Sequence, residues 1–258
     1  MTVLEKKKKV IPYRVQGKGD RAIIFIHGFL DEGSVWSSVI SGLDAAGFSI
    51  VTLDLPGMGA LSEWDGPIGL RPLAAEVLGV LDEINKPSIL VGHSMGAQIA
   101  EMAAVDRPGL IKGMALLTPI PLGGLPLDEQ TAASMHLVGG NEEMQRGMRM
   151  QFSPGLDIKI IDELVKIGMK VKPKVAGELF DAWSGGDEAG GKPNPNRIPI
   201  LIIGGDQDPF SPPELIKSSI APRFSASDAK YIEGASHWPH VSSPQIVSGM
   251  INSFLKRF

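Results

Sequence analysis

The chain is predicted to fold as an α/β domain with a mostly parallel central sheet, helices on both faces and a helical insertion late in the chain. Three observations predict this. Five short apolar runs, at 22–27, 49–53, 88–92, 113–118 and 198–204, are continuous rather than alternating. Strands buried on both faces read that way. Between the runs lie stretches with apolar residues three and four apart, the signature of helices that cover a sheet. One long stretch, 122–196, breaks the rhythm and contains no buried-strand run.

Taken in order, residues 10–16 are expected to supply one or two antiparallel edge strands. Helices are expected over 35–46, 70–84 and 95–105, each packing an apolar stripe on the sheet. With both edge strands counted, the insertion is placed after the sixth strand. Within it, helical spacing falls at 127–137, 141–152, 158–169 and 174–183, and a loop rich in Gly and Pro over 184–196 leads out. A helix near 213–219, a strand near 229–233 and a final helix over 244–258 close the chain. Domain limits follow: 1–121 and 197–258 form the core, and 122–196 form a cap. The cap holds Met135, Met144, Met148, Met150 and Met169. Flexible, polarizable side chains of this kind either pack helix on sheet or make an adaptable lid.

Composition excludes several classes. The net charge is −4 and no basic face is implied, which argues against a nucleic-acid partner. The lysine run at 6–9 reads as a solvated tail or the guarded start of an edge strand. With no cysteine, disulfide and thiolate chemistry are ruled out. No run approaches the length of a membrane span, and the first nine residues lack an apolar signal core, so a cytoplasmic, soluble protein is the default. The oligomeric state is left open.

The chemistry centres on Gly92-His93-Ser94-Met95-Gly96, which fits G-x-S-x-G between a strand and a helix. The sharp turn lifts the Ser94 hydroxyl above the carboxyl end of the sheet at a helix N-terminus, where negative charge is favoured. A serine hydroxyl needs a base to take its proton, and the base needs an acid to orient it. Of five histidines, His237 follows the last strand in a loop that would overhang Ser94. His93 is read as structural, turned away by the elbow. His240 is placed further round the loop, at the surface or a pocket rim. Asp206 and Asp208 compete for the acid after the strand that begins at Ile198. Asp208 is favoured, and Asp206 is read as a turn residue bonding its own backbone. The chain order Ser, Asp, His is the one this architecture uses. Histidines scattered without ligand spacing point to no metal.

Five landmarks then line up in order: His27-Gly28-Phe29, Asp54-Leu55-Pro56-Gly57-Met58-Gly59, Gly92 to Gly96, Gly205-Asp206-Gln207-Asp208 and Gly234-Ala235-Ser236-His237. Together they resemble the α/β-hydrolase superfamily, in the flavour of small serine carboxylesterases, enol-lactonases and cofactor-free haloperoxidases. The resemblance implies Ser94 as nucleophile, His237 as base and Asp208 as acid. It also implies an oxyanion hole made by the backbone N–H groups of Phe29 and Met95. No cofactor is implied. Relatives that open carbon–halogen bonds or epoxides carry a carboxylate at the nucleophile position, so Ser94 argues against those activities. Ser236 stands where many relatives have a second glycine. Asp54 and the Pro56-Gly57 turn are read as architectural, and the orientation of Asp31 is left open. Phe29, Met95, Phe210 and Trp238 are expected to line an apolar pocket. The expected reaction is therefore hydrolysis of a small or medium apolar ester or lactone through an acyl-enzyme. The alternatives are a lyase or perhydrolase using the same triad, or a receptor-like homologue that keeps a slow site.

Overall fold

The computed structural model describes residues 10–258; the lysine run at 6–9 lies outside them. Among the described residues seven strands form one sheet: β1 (Tyr13–Gln16), β2 (Arg21–Ile26), β3 (Phe48–Leu53), β4 (Ser88–His93), β5 (Ile111–Leu117), β6 (Ile200–Gly205) and β7 (Ser227–Ile232). Their spatial order is β1-β3-β2-β4-β5-β6-β7. Only β1 runs antiparallel, paired with β3; every other pairing is parallel. The central strands are buried along almost their whole length, which is why their sequences read as unbroken apolar runs. Order reverses at β2, where the chain moves outward to β3 and then returns to β4. A parallel sheet opens its ligand crevice beside such a switch point, at the carboxyl ends of the strands.

The helices fit the expected alternation with two corrections. The segment expected as one helix over 35–46 is a 3₁₀ turn, Gly33–Trp36, followed by a short α1 (Ser37–Ser41). It stops at Gly42, where an added Cβ would lie 2.5 Å from Ser248 Oγ of the C-terminal helix. The missing side chain lets α1 pack closely on that helix. The N-terminal segment also gives a single edge strand among the described residues. Counted over the described residues, the helical insertion follows the fifth strand.

Helix α2 (Leu70–Ile84) buries Leu70, Leu73, Val77, Val80 and Leu81 on one stripe and ends on Asn85 in the left-handed conformation. Helix α3 (Met95–Asp106) leaves β4 through the elbow and is buried over nearly its full length. Between β5 and β6 come α4 (Glu129–His136), α5 (Glu142–Phe152), α6 (Ile158–Gly168) and α7 (Pro173–Gly185). The first three begin at side-chain caps. Asp128 accepts from Thr131 N–H, Asn141 from Met144 N–H and Asp157 from Lys159 N–H, each satisfying a first-turn donor. After β6 come α8 (Pro213–Leu215), α9 (Pro239–Ser242) and α10 (Pro244–Leu255). Among the described residues, no helix is long and apolar enough to cross a membrane.

Candidate active site

Ser94 joins β4 to α3 with φ +53° and ψ −119°, a backbone conformation rarely held by a non-glycine residue. Its neighbours explain how it persists. A Cβ on Gly92 would lie 2.4 Å from Gly96 O, and one on Gly96 would lie 2.5 Å from both His27 O and Ile26 O. The turn closes only because both positions lack a side chain. The Ser94 N–H is held by Leu117 O at 3.0 Å, which ties the elbow to β5.

Three loops at the carboxyl edge bring three distant side chains together. His237 Nε2 lies 2.9 Å from Ser94 Oγ, and His237 Nδ1 lies 2.9 Å from Asp208 Oδ2. Asp208 can only accept as a carboxylate, so Nδ1 carries the proton and Nε2 is free to accept from the serine hydroxyl. The other carboxylate oxygen, Oδ1, accepts the Phe210 N–H at 2.9 Å, which fixes the carboxylate's orientation. All three groups are buried, and Ser94 is the most open at 7% exposure. The competing Asp206 is exposed, and its Oδ1 accepts the Gly234 N–H at 2.8 Å. It bonds across to the neighbouring loop rather than to its own turn.

The main chain of His237 is itself clamped. His93 Nε2–H and Thr118 Oγ1–H both donate to its carbonyl, at 2.8 and 3.0 Å, and its own N–H points to Phe152 O at 3.4 Å. Burial, reinforced by the nearby His237, pushes the His93 pKa down to about 3, so it stays neutral. His27 is likewise buried and held neutral by burial; Nδ1 lies 2.9 Å from Gly28 O, and Nε2 accepts the Leu55 N–H at 2.9 Å. That pins the loop carrying Phe29. Asp54 accepts from Gly33 N–H at 2.7 Å and Ala60 N–H at 2.8 Å, the architectural role expected for it. Among the described residues no acceptor takes the N–H of Phe29 or of Met95.

Beneath the cleft lies a network that sequence reasoning missed. Asp31 is fully buried, and its Oδ1 receives both terminal nitrogens of Arg149 at 3.3 Å. Arg149, also fully buried, donates further to Leu30 O at 3.0 Å, while Trp238 Nε1–H donates to Asp31 Oδ2 at 3.1 Å. Burial lowers the Arg149 pKa, and the Asp31 charge opposes that shift. One signal was available. On α5, Arg149 falls on the face that also buries Gln145, Met148 and Phe152, and a charge on a buried face requires a partner. His240, expected at the surface or a rim, is instead fully buried, with its ring 4.7 Å from Trp36 and 4.3 Å from His93. The Pro239 start of α9 turns it inward. Asp31, His93 and His240 bring ligand-type atoms within 4.8 Å of one another. Arg149 already neutralises Asp31, so the set fits a divalent cation poorly.

The cleft above Ser94 encloses about 340 Å³ counting its mouth, and its lining includes Phe29, Phe210 and Trp238. The Met95 side chain, expected there, is fully buried in the core and does not line the cleft. The elbow points Ser94 outward and so turns the next side chain in. Of the insertion's methionines, Met135 and Met148 reach the cleft, whereas Met150 and Met169 are exposed.

Comparison with known proteins places these features in a family. A model described as the alpha/beta hydrolase family matches residues 23–249. Over 249 residues the chain is 25% identical to (E)-2-((N-methylformamido)methylene)succinate hydrolase of Acinetobacter baylyi, covering 95% of this chain and 93% of that protein. Over 114 residues it is 34% identical to the dihydrolipoyllysine-residue acetyltransferase component of the acetoin cleaving system of Cupriavidus necator, a match of 44% of this chain and 30% of that one. Among solved structures, a hydrolase from Oleispira antarctica superposes with a TM-score of 0.86 at 18% identity, over 98% of this chain and 97% of that one, a likeness of fold.

Proposed function

The chain belongs to the alpha/beta hydrolase family, and from that premise we propose that it is a serine hydrolase of carboxylic esters or lactones working through an acyl-enzyme. The observation that carries this reading is the unbroken hydrogen-bond chain from Ser94 Oγ through His237 to Asp208, with two 2.9 Å links. Ser94 attacks the substrate carbonyl as His237 Nε2 takes its proton, and the Asp208 carboxylate stabilises the imidazolium that forms. The carbonyl oxygen becomes an oxyanion and is received by the N–H groups of Phe29 and Met95, which have no protein acceptor among the described residues. His237 then protonates the leaving oxygen. Water, activated by the same imidazole, attacks the acyl-enzyme and restores Ser94. The route needs no metal or organic cofactor.

Residues 122–196 act in this reading as a cap that shields the acyl-enzyme. Their attachment to the base loop, through Phe152 O and the stacking of Phe152 on Phe210 at 3.8 Å, supports that role. The apolar lining favours an apolar acyl or alcohol group. The test is labelling by a small fluorophosphonate, with the adduct mapped to Ser94 by peptide mass, together with turnover of p-nitrophenyl acetate. A protein that neither labels nor turns over would refute the reading.

A further inference from the structure

Helix α4 packs on α7 and α5 packs on α6. The two helix pairs leave an open groove between α4 and α5, of about 1140 Å³ counting its mouth, against about 340 Å³ counted the same way for the cleft at Ser94. Thr131, Ser134, Met135 and Val138 line it from α4 and the turn after it, at helical spacing; Met144, Gly147, Met148 and Gln151 answer from α5. Met135 and Met148 line both the groove and the cleft, so these two side chains form the partition between them. Unbranched and thioether-linked, they can swing between rotamers with little loss of packing. At Gly147, an exposed position in the middle of α5, an added Cβ would meet nothing within 4 Å. A glycine there weakens the helix and keeps the groove open.

Charge narrows what the groove can hold. Asp128 and Glu143 lie on its rim, and no Lys, Arg or His lines it. In the cleft, His93 is held neutral, and Arg149 is tied to Asp31 behind Trp238. A carboxylate on the substrate would therefore meet two like charges and no counterion. Asp128 is already engaged by the Thr131 N–H and hydroxyl, and the floor is formed by Met135, Val138, Met148 and Phe152, so a cation is not what the groove is built for either.

We propose that the α4–α5 groove is the distal half of the substrate site: it takes an uncharged arm of an ester whose carbonyl lies at Ser94, passing between Met135 and Met148. This deepens the Ser94 reading and rests on it. The experiment compares kcat/KM for p-nitrophenyl acetate, octanoate and an ester of the octanoate's length ending in a carboxylate, in the wild type, Gly147→Phe and Glu143→Lys. In the wild type the carboxylate-ended ester should be poorer than octanoate by about tenfold or more. Gly147→Phe should lower the octanoate-to-acetate ratio by about tenfold, and Glu143→Lys should narrow the gap between the two long esters by about threefold. An octanoate-to-acetate ratio unchanged within about twofold in Gly147→Phe, or a carboxylate-ended ester as good as octanoate, would overturn the groove assignment. Labelling of Ser94 by a small fluorophosphonate separates the two claims. A labelled wild type with flat ratios removes the groove alone, and an unlabelled, inactive wild type removes both.

Discussion

Arg149 Nη1 and Nη2 both lie 3.3 Å from Asp31 Oδ1, with neither side chain exposed to solvent. This pair joins α5 of the insertion to the loop that carries Phe29, and it does so directly behind Trp238. Two charges removed from water are stable only as a pair. Arg149→Met should therefore cost about 3–5 kcal/mol by leaving a bare buried carboxylate. The double substitution Arg149→Met with Asp31→Asn should recover much of that loss. A double-mutant cycle from urea unfolding checks it, and additive losses would show that the pair is not coupled.

Ser94→Ala should reduce kcat by about 10⁶, as nucleophile removal does in serine hydrolases with an intact oxyanion hole. The melting temperature should change little, because Ala keeps the same positive-φ backbone and only the hydrogen bond to His237 is lost. Steady-state kinetics with p-nitrophenyl acetate and a thermal scan measure the two effects separately.

The two aspartates of the β6 loop should differ sharply. Asp208→Asn keeps the shape but presents an amide to His237 Nδ1, favouring the wrong tautomer, and should lower kcat by about 10⁴. Asp206→Asn can still accept from Gly234 N–H and should stay within about threefold of wild type, since it only trades one loop hydrogen bond for another. Equal losses from the two would reassign the acid.

Acid should destabilise the fold early. Burial lowers the pKa of His27, His93 and His240, that of His93 to about 3, from an ordinary value of 6.5. As pH falls below that ordinary value, the unfolded chain takes up protons that the folded chain refuses. The stability present at neutral pH is therefore lost progressively down to the folded-state pKa. His240→Phe keeps a ring against Trp36 and removes one of these groups. The slope of stability against pH between about 6 and 4 should then fall by about one proton. Urea titrations at several pH values would detect it, and an unchanged slope would mean that His240 is not held neutral.

Much of this protein was already determined by local sequence. Continuous apolar runs could only be strands covered on both faces, and Gly92 and Gly96 around Ser94 could only be a turn too tight for side chains. Both are short-range facts of sterics and burial, legible one segment at a time. Tertiary structure decided the rest, because it depends on contacts between residues far apart in the chain. It packed α1 on α10 at Gly42, turned Met95 into the core and buried His240. It also separated Asp208 from Asp206 by reach. Most of all, it paired Arg149 with Asp31 across 118 positions of sequence. No local pattern encodes such a partner, since a buried charge announces only that it must have one.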